Sequence, residues 1–155
     1  MRRFVRKPDW RGLSLLGVGI LVIALDQYTK FLVRKHLALN VSWNPIPWLD
    51  PIVTFTRTEN SGAAFGILPG LSVIFAIVAI VVVIGFALFY RKLASSSWLL
   101  RLAVGVQWGG AAGNLVDRLR FGGLVTDFID FRWFPVFNVA DSSIVVGTIL
   151  LAVYI

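Results

Sequence analysis

Two aspartates carry the chemistry this chain can offer. Asp127 and Asp141 sit in a polar stretch, GNLVDRLRFGGLVTDFIDFRWFPVFNVADSS, inside an otherwise lipid-soluble sequence. Asp141 opens an apolar run, SSIVVGTILLAVYI. A carboxylate at the mouth of a membrane helix is costly, which makes it a functional candidate. Two carboxylates a few ångströms apart cannot both ionise easily, so they share a proton. The ionised partner can take a proton from water. The protonated partner can hydrogen-bond a scissile carbonyl and later protonate the leaving amine. Such a pair hydrolyses an amide without cysteine, histidine or metal, and it titrates as a unit.

Further polar groups lie near the pair. Asn114, Asp117 and Arg118 fall at i, i+3 and i+4, on one helix face. Asn138 and Asp141 fall at i and i+3. If the two helices end at one membrane surface, these faces meet. Each residue also has a plainer reading. Asp117 with Arg118 and Asn114 reads first as an ion-pair and amide network closing a helix end. Asp141 reads also as the N-cap of the last helix, with Ser142 and Ser143 following. Asp127 reads also as a loop acid, and spacing does not separate it from Asp130.

The elements that must position these residues follow from composition. The chain has 155 residues, 57% of them hydrophobic, with a mean hydropathy of +0.80. A soluble domain is about 45–50% apolar, so an integral membrane protein is expected, in one domain over residues 1–155. There is no cysteine, which excludes disulfides and thiolate chemistry. The single histidine, His36, leaves no basis for a His-rich zinc site. The net charge of +7 suits anionic headgroups better than nucleic acid, because the cations flank apolar segments.

Four segments are long and apolar enough to span, roughly 13–34, 70–90, 97–117 and 138–155. The second contains no charge. The first carries Asp26 and Lys30, four apart and able to pair. It lacks an A-x-A-like cleavage site and is expected to remain as an anchor. The third ends in small residues, Gly109 to Gly113, which let helices approach closely. Arg2, Arg3, Arg6, Lys7 and Arg11 precede the first span, and Arg91, Lys92 and Arg101 lie between the second and third. Positive charge marks the cytoplasmic side, so both termini are expected there. The last span stops at Tyr154-Ile155 without a polar flank, which suggests a basic tail beyond it.

The two outer connections contain strand-like pieces, PIVTFTRT and GLVTDFIDFRWF. They are expected to pair into a small sheet outside the membrane, with Trp43, Trp48, Trp133 and Phe134 at the headgroup level. The fold expected is an all-α polytopic membrane protein with four transmembrane helices and a small extracytoplasmic β-containing subdomain.

Five motifs in order now carry a resemblance: LDQYTK at 25–30, RTENSGAAFGIL at 57–68, GGAAGNLVDR at 109–118, VTDFIDF at 125–131 and FPVFNVADSS at 134–143. The chain resembles the bacterial lipoprotein signal peptidase (signal peptidase II) family, aspartic peptidases of the cytoplasmic membrane. The resemblance implies Asp127 and Asp141 as the catalytic pair, which selects Asp127 over Asp130. It implies supporting or substrate-binding roles for Asn114, Asp117, Arg118, Asn138, Asn60 and Gly62. Ala63 and Ala64 complete the family's N-x-G-A-A element, in an extracellular segment that closes over substrate. Asp26, Thr29 and Lys30 look structural. The implied substrate is a prolipoprotein whose cysteine carries a diacylglyceryl group, cut just before that cysteine. No cofactor, metal or nucleic acid is implied, and a monomer among membrane lipids is expected.

Three other classes compete, one of them a non-enzymatic assembly factor. A small proton-coupled transporter would use Asp26 and Asp141 as relay sites, but the second span offers only Ser72 and Tyr90 near its ends. A serine–lysine peptidase would use Ser61 and Lys30, but Lys30 has a carboxylate partner on its own helix face.

Overall fold

The computed structural model describes residues 10–62 and 71–155. It contains helix α1 (Trp10–His36), strands β1 (Ser42–Trp43) and β2 (Thr54–Asn60), helices α2 (Leu71–Ala94) and α3 (Trp98–Arg120), strand β3 (Val125–Asp130) and helix α4 (Val139–Tyr154). A 3-10 turn, Pro47–Leu49, lies between β1 and β2. The basic residues 2–7 and Ala63 and Ala64 lie outside the described residues.

Each helix falls where apolar sequence demanded one. Within α1, Trp10–His36 is long and apolar enough to cross a membrane, as is Ser72–Leu93 within α2. At about 1.5 Å per residue, the 27 residues of α1 exceed a hydrocarbon core of about 30 Å. α4 is apolar but has 16 residues. Apolar side chains cover the outside of α2, with Val73 65%, Val81 63% and Leu88 75% exposed. That surface is stable against hydrocarbon and a liability against water.

α3 is the centre of the bundle and packs against α1, α2 and α4. Its glycines make this possible. A Cβ at Gly109 would stand 2.7 Å from the Gly19 carbonyl oxygen of α1, and one at Gly113 2.6 Å from Asp26 Oδ2. A Cβ at Gly110 would collide with the Ala140 carbonyl of α4. Backbones in near contact bring the polar residues of α1, α3 and α4 within hydrogen-bond reach of one another.

The three strands form an antiparallel sheet in the order β1-β2-β3. Thr58 pairs with Asp127 and Asn60 with Val125, after a register slip between Phe55 and Thr58. Both strand-like pieces in the sequence are therefore strands, and they pair. The two-residue β1 was not expected. It is too short to show alternation, and it forms as an edge, with Trp43 stacked on Phe55 at 6.0 Å. Trp43, Trp48, Trp133 and Phe134 are all exposed.

Candidate active site

The sheet caps one end of the bundle. Arg34 near the end of α1 donates to Thr126 Oγ1 of β3 at 2.9 Å. Ser72 at the start of α2 donates to the Gly123 carbonyl. The C-terminal ends of α1 and α3 and the N-terminal ends of α2 and α4 thus share that end. The polar residues named from sequence gather there.

α4 begins with a capping box. The Asn138 side chain accepts the Asp141 N–H at 2.9 Å, and Asp141 Oδ2 accepts the Asn138 N–H at 3.2 Å. This corrects the reading of Asp141 as N-cap: Asn138 is the cap and Asp141 is N3. The box fixes the Asp141 rotamer at the positive end of the helix dipole. The spare amide of Asn138 reaches the other acid, donating to Asp127 Oδ1 at 2.6 Å. One side chain therefore ties the two aspartates together. Asn114 adds a second tie, donating to Asp141 Oδ1 at 2.8 Å and accepting from Asn138 at 3.1 Å.

Asp127 is 1% exposed. Its second oxygen accepts from Asn60 at 2.9 Å. The register explains this contact: Asn60 pairs with Val125, so Asp127 is its diagonal neighbour on one sheet face. Asn60 also accepts the Gly62 N–H at 2.7 Å, holding Gly62 at φ +90°. That conformation suits glycine, and a Cβ there would strike the Phe75 ring. Burial pushes the Asp127 carboxyl up, and the Asp141 charge pushes it further. Hydrogen bonds from Asn60 and Asn138, and the Lys30 charge, pull it back, leaving it at about 7.

A second polar cluster lies beneath the pair. The Lys30 ammonium, fully buried, contacts Asp26 at 2.9 Å, Asp117 at 3.3 Å and Asn114 Oδ1 at 2.9 Å. Arg34 lies 3.6 Å from Asp117. Two acids and two bases balance. Their remaining lone pairs take N–H groups: Ala140 donates to Asp26 at 3.0 Å, Thr126 to Asp117 at 3.1 Å, and Gln27 to both acids. Buried ion pairs are tolerable when so satisfied. The cluster joins α1, α3, β3 and α4 below the aspartates and touches them through Asn114.

The expected Asp117–Arg118 pair is absent among the described residues. Neighbours at i and i+1 do not face each other on a helix. Asp117 takes Lys30 and Arg34 instead. Arg118 donates to the Asn114 carbonyl at 3.4 Å and lines the same groove as Asp141. Its guanidinium lies 5.7 Å from the Phe75 ring centre, and its buried Nε finds no hydrogen-bond partner among the described residues. Asp130 is engaged elsewhere, with Thr56 at 2.7 Å and the Arg132 N–H at 2.8 Å. Sequence reasoning missed Gln27, Arg34 and Thr126; the Gln27–Asp117 and Arg34–Thr126 contacts each join residues 90 or more positions apart. No local signal marks such contacts.

Asn60, Asn114, Arg118 and Asp141 line a groove of about 530 Å³. Its deeper walls are apolar: Phe75, Val78 and Val82 of α2, Ala111 of α3 and Ile144 of α4. A polar mouth over an apolar trough can take an amphiphile with its polar part at the acids.

The architecture is that of bacterial membrane enzymes. One such enzyme, solved by the in meso method at 1.9 Å resolution, superposes with a TM-score of 0.79 at 33% identity, covering 91% of each chain. The family model for signal peptidase (SPase) II matches residues 18–155. The chain is 47% identical over 138 residues to a lipoprotein signal peptidase of Halothermothrix orenii, covering 89% of this chain and 92% of that one. It is 42% identical over 139 residues to the one of Moorella thermoacetica, covering 90% of each. The chain belongs to the signal peptidase II family, which are aspartic peptidases.

Proposed function

We propose that this chain is an endopeptidase that removes the signal peptide from diacylglyceryl-modified prolipoproteins, with Asp127 and Asp141 as its catalytic pair. Residues 1–155 act as one membrane domain. All four helices cross the bilayer, both termini face the cytoplasm, and the sheet rests on the outer surface. The observation that carries the reading is the double tether of the two acids by Asn138.

Charge balance supports a single shared proton. With one proton the pair carries one negative charge, which the adjacent Arg118 guanidinium offsets. Asp127, raised to about 7, keeps that proton. Asp141 is the base, held ready by Asn114 and the helix dipole. Asp141 takes a proton from water as the oxygen adds to the scissile carbonyl carbon. Asp127 gives its proton to the carbonyl oxygen. On collapse Asp141 passes its proton to the amide nitrogen, the C–N bond breaks, and the hydroxyl proton returns to Asp127. Arg118, with donors to spare, binds a substrate main-chain carbonyl near the reacting bond.

The signal helix and the acyl chains lie in the trough between α2, α3 and α4, which sets the scissile bond at headgroup depth. Asn60 holds Asp127 and accepts the Gly62 N–H, so the turn at Gly62 and the alignment of Asp127 depend on one side chain. The test is incubation of the purified enzyme with a diacylglyceryl-modified prolipoprotein and with the same protein left unlipidated. Only the first is cut; equal cutting of both would remove the lipid from the recognition chemistry.

A further inference from the structure

A second groove, of about 620 Å³, runs between the last turns of α1 and the sheet. It shares no lining residue with the groove at the aspartates. Leu32, Val33 and Leu37 form one wall, and the rings of Trp43, Phe55 and Phe128, one from each strand, form the other. The volume is that of a small-molecule site, typically about 300–1,000 Å³.

Three observations identify what fills it. The groove is almost wholly apolar, and an apolar cleft of this size is not stable facing water. It continues an exposed apolar strip on α1, where Leu25, on the stripe of Thr29, Leu32 and His36, and Tyr28 beside it are each about half exposed. Beside its upper end stands one cation, on the residue preceding His36. His36 lines the groove, and the neighbouring Lys35 lies over the Phe31 ring at 5.9 Å and pairs with no carboxylate among the described residues. Hydrocarbon below and a free cation above match an amphiphile with an anionic head.

We propose that this groove is a binding site for a bilayer phospholipid, one acyl chain lying against Leu32, Val33 and the three rings, with the phosphate beside Lys35 and His36. The proposal rests on the reading of α1 as a membrane span. It gives the lipid a place directly behind the catalytic strand. Phe128 follows Asp127 in β3 and forms part of the groove wall.

The experiment uses the full chain in phosphatidylglycerol vesicles containing a fraction of phosphatidylglycerol with a photoactivatable diazirine in one acyl chain. After illumination and digestion, labelled residues are mapped by mass spectrometry. Labelling of 32–37 and of Phe128 should exceed that of the exposed α2 face at 73–82 several-fold. Leu32→Trp and, independently, Val33→Trp should fill the groove and abolish that excess. Even labelling along α1 and α2 overturns the proposal, as does an excess that survives both fillings. Displacement of the label by a diacylglyceryl-cysteine peptide also overturns it, because the groove then belongs to substrate. Should neither variant fold, the map of the unaltered protein decides. Prolipoprotein cleavage is measured on the same vesicles, so an active enzyme without groove labelling removes this site and leaves the peptidase reading standing.

Discussion

Asp127 and Asp141 are held by a single residue: Asn138 donates its side-chain amide to Asp127 at 2.6 Å and its main-chain N–H to Asp141 at 3.2 Å. Helix capping and acid alignment are therefore one structure. Asn138→Ala removes a cap worth about 1 kcal/mol, a small loss for the fold. It also removes the amide that links Asp127 to the start of α4, leaving Asp127 to Asn60 and Asp141 to Asn114 and the main-chain N–H, and misplacement by about 1 Å can lower a rate about 10²-fold. The variant should fold and insert while kcat collapses. Thermal unfolding and single-turnover cleavage on one preparation check this; parallel losses would make Asn138 merely structural.

Asp127 gives the pH dependence its sign. Its folded value, about 7, lies above the ordinary 3.8. A carboxyl raised on folding binds more protons folded than unfolded, so its contribution to stability falls as pH rises from about 4 to about 7. Asp127→Asn, which cannot ionise, should lose that dependence. The stability gap between wild type and variant is measured across this window by denaturant unfolding. A gap that widens in favour of wild type with rising pH would contradict the assignment. Turnover should decline above about 7, as the pair loses its one proton.

If the cluster under the site serves the fold rather than the reaction, its removal should show in yield rather than in chemistry. Asp26→Ala leaves Lys30 buried beside Asp117 with one fewer partner and strands the Ala140 N–H. Breaking a buried pair costs about 3–5 kcal/mol. Folded yield should drop sharply while turnover per folded molecule drops less. Lys30, occupied by Asp26, Asp117 and Asn114, is in no position to activate a serine. Ser61→Ala should leave cleavage intact, as a gel-shift assay of processing would register.

Close packing at α3 makes a sharper mechanical test. Gly110→Ala puts a methyl group against the Ala140 carbonyl, at the start of the helix that carries Asp141. Overpacking costs about 1–3 kcal/mol, and the displaced helix should lose activity as well. Gly85 has nothing within 4 Å of an added Cβ. Gly85→Ala should be neutral or slightly stabilising. Comparable effects of the two substitutions on melting temperature would show that the α3–α4 contact is looser than described.

Much of this was legible beforehand, for physical reasons that differ by residue. The helices follow from apolar runs. The Asp26–Lys30 contact follows from i, i+4 spacing on one of them. Strands β2 and β3 follow from β-branched alternation, and their pairing places Asn60 beside Asp127. The capping box was written in N-x-x-D at 138–141, yet a carboxylate at a helix start is easily taken for the cap itself. Arg34 was not legible. Its contacts with Asp117 and Thr126 exist only after α1, α3 and β3 have assembled. Nor was the turn of Arg118 away from Asp117, although the geometry of adjacent helical residues forbids the pair.

With Asp127 and Asp141 as the catalytic pair, hydrolysis needs both acids and the fold needs neither. The decisive measurement is cleavage of a diacylglyceryl-modified prolipoprotein by Asp127→Asn and Asp141→Asn, each reconstituted in vesicles and shown to melt like the parent. Losing the acid or the base should cost at least about 10²–10⁴-fold in rate, with insertion unchanged. Near-normal processing by either folded variant would contradict the claim that these two carboxyls perform the reaction.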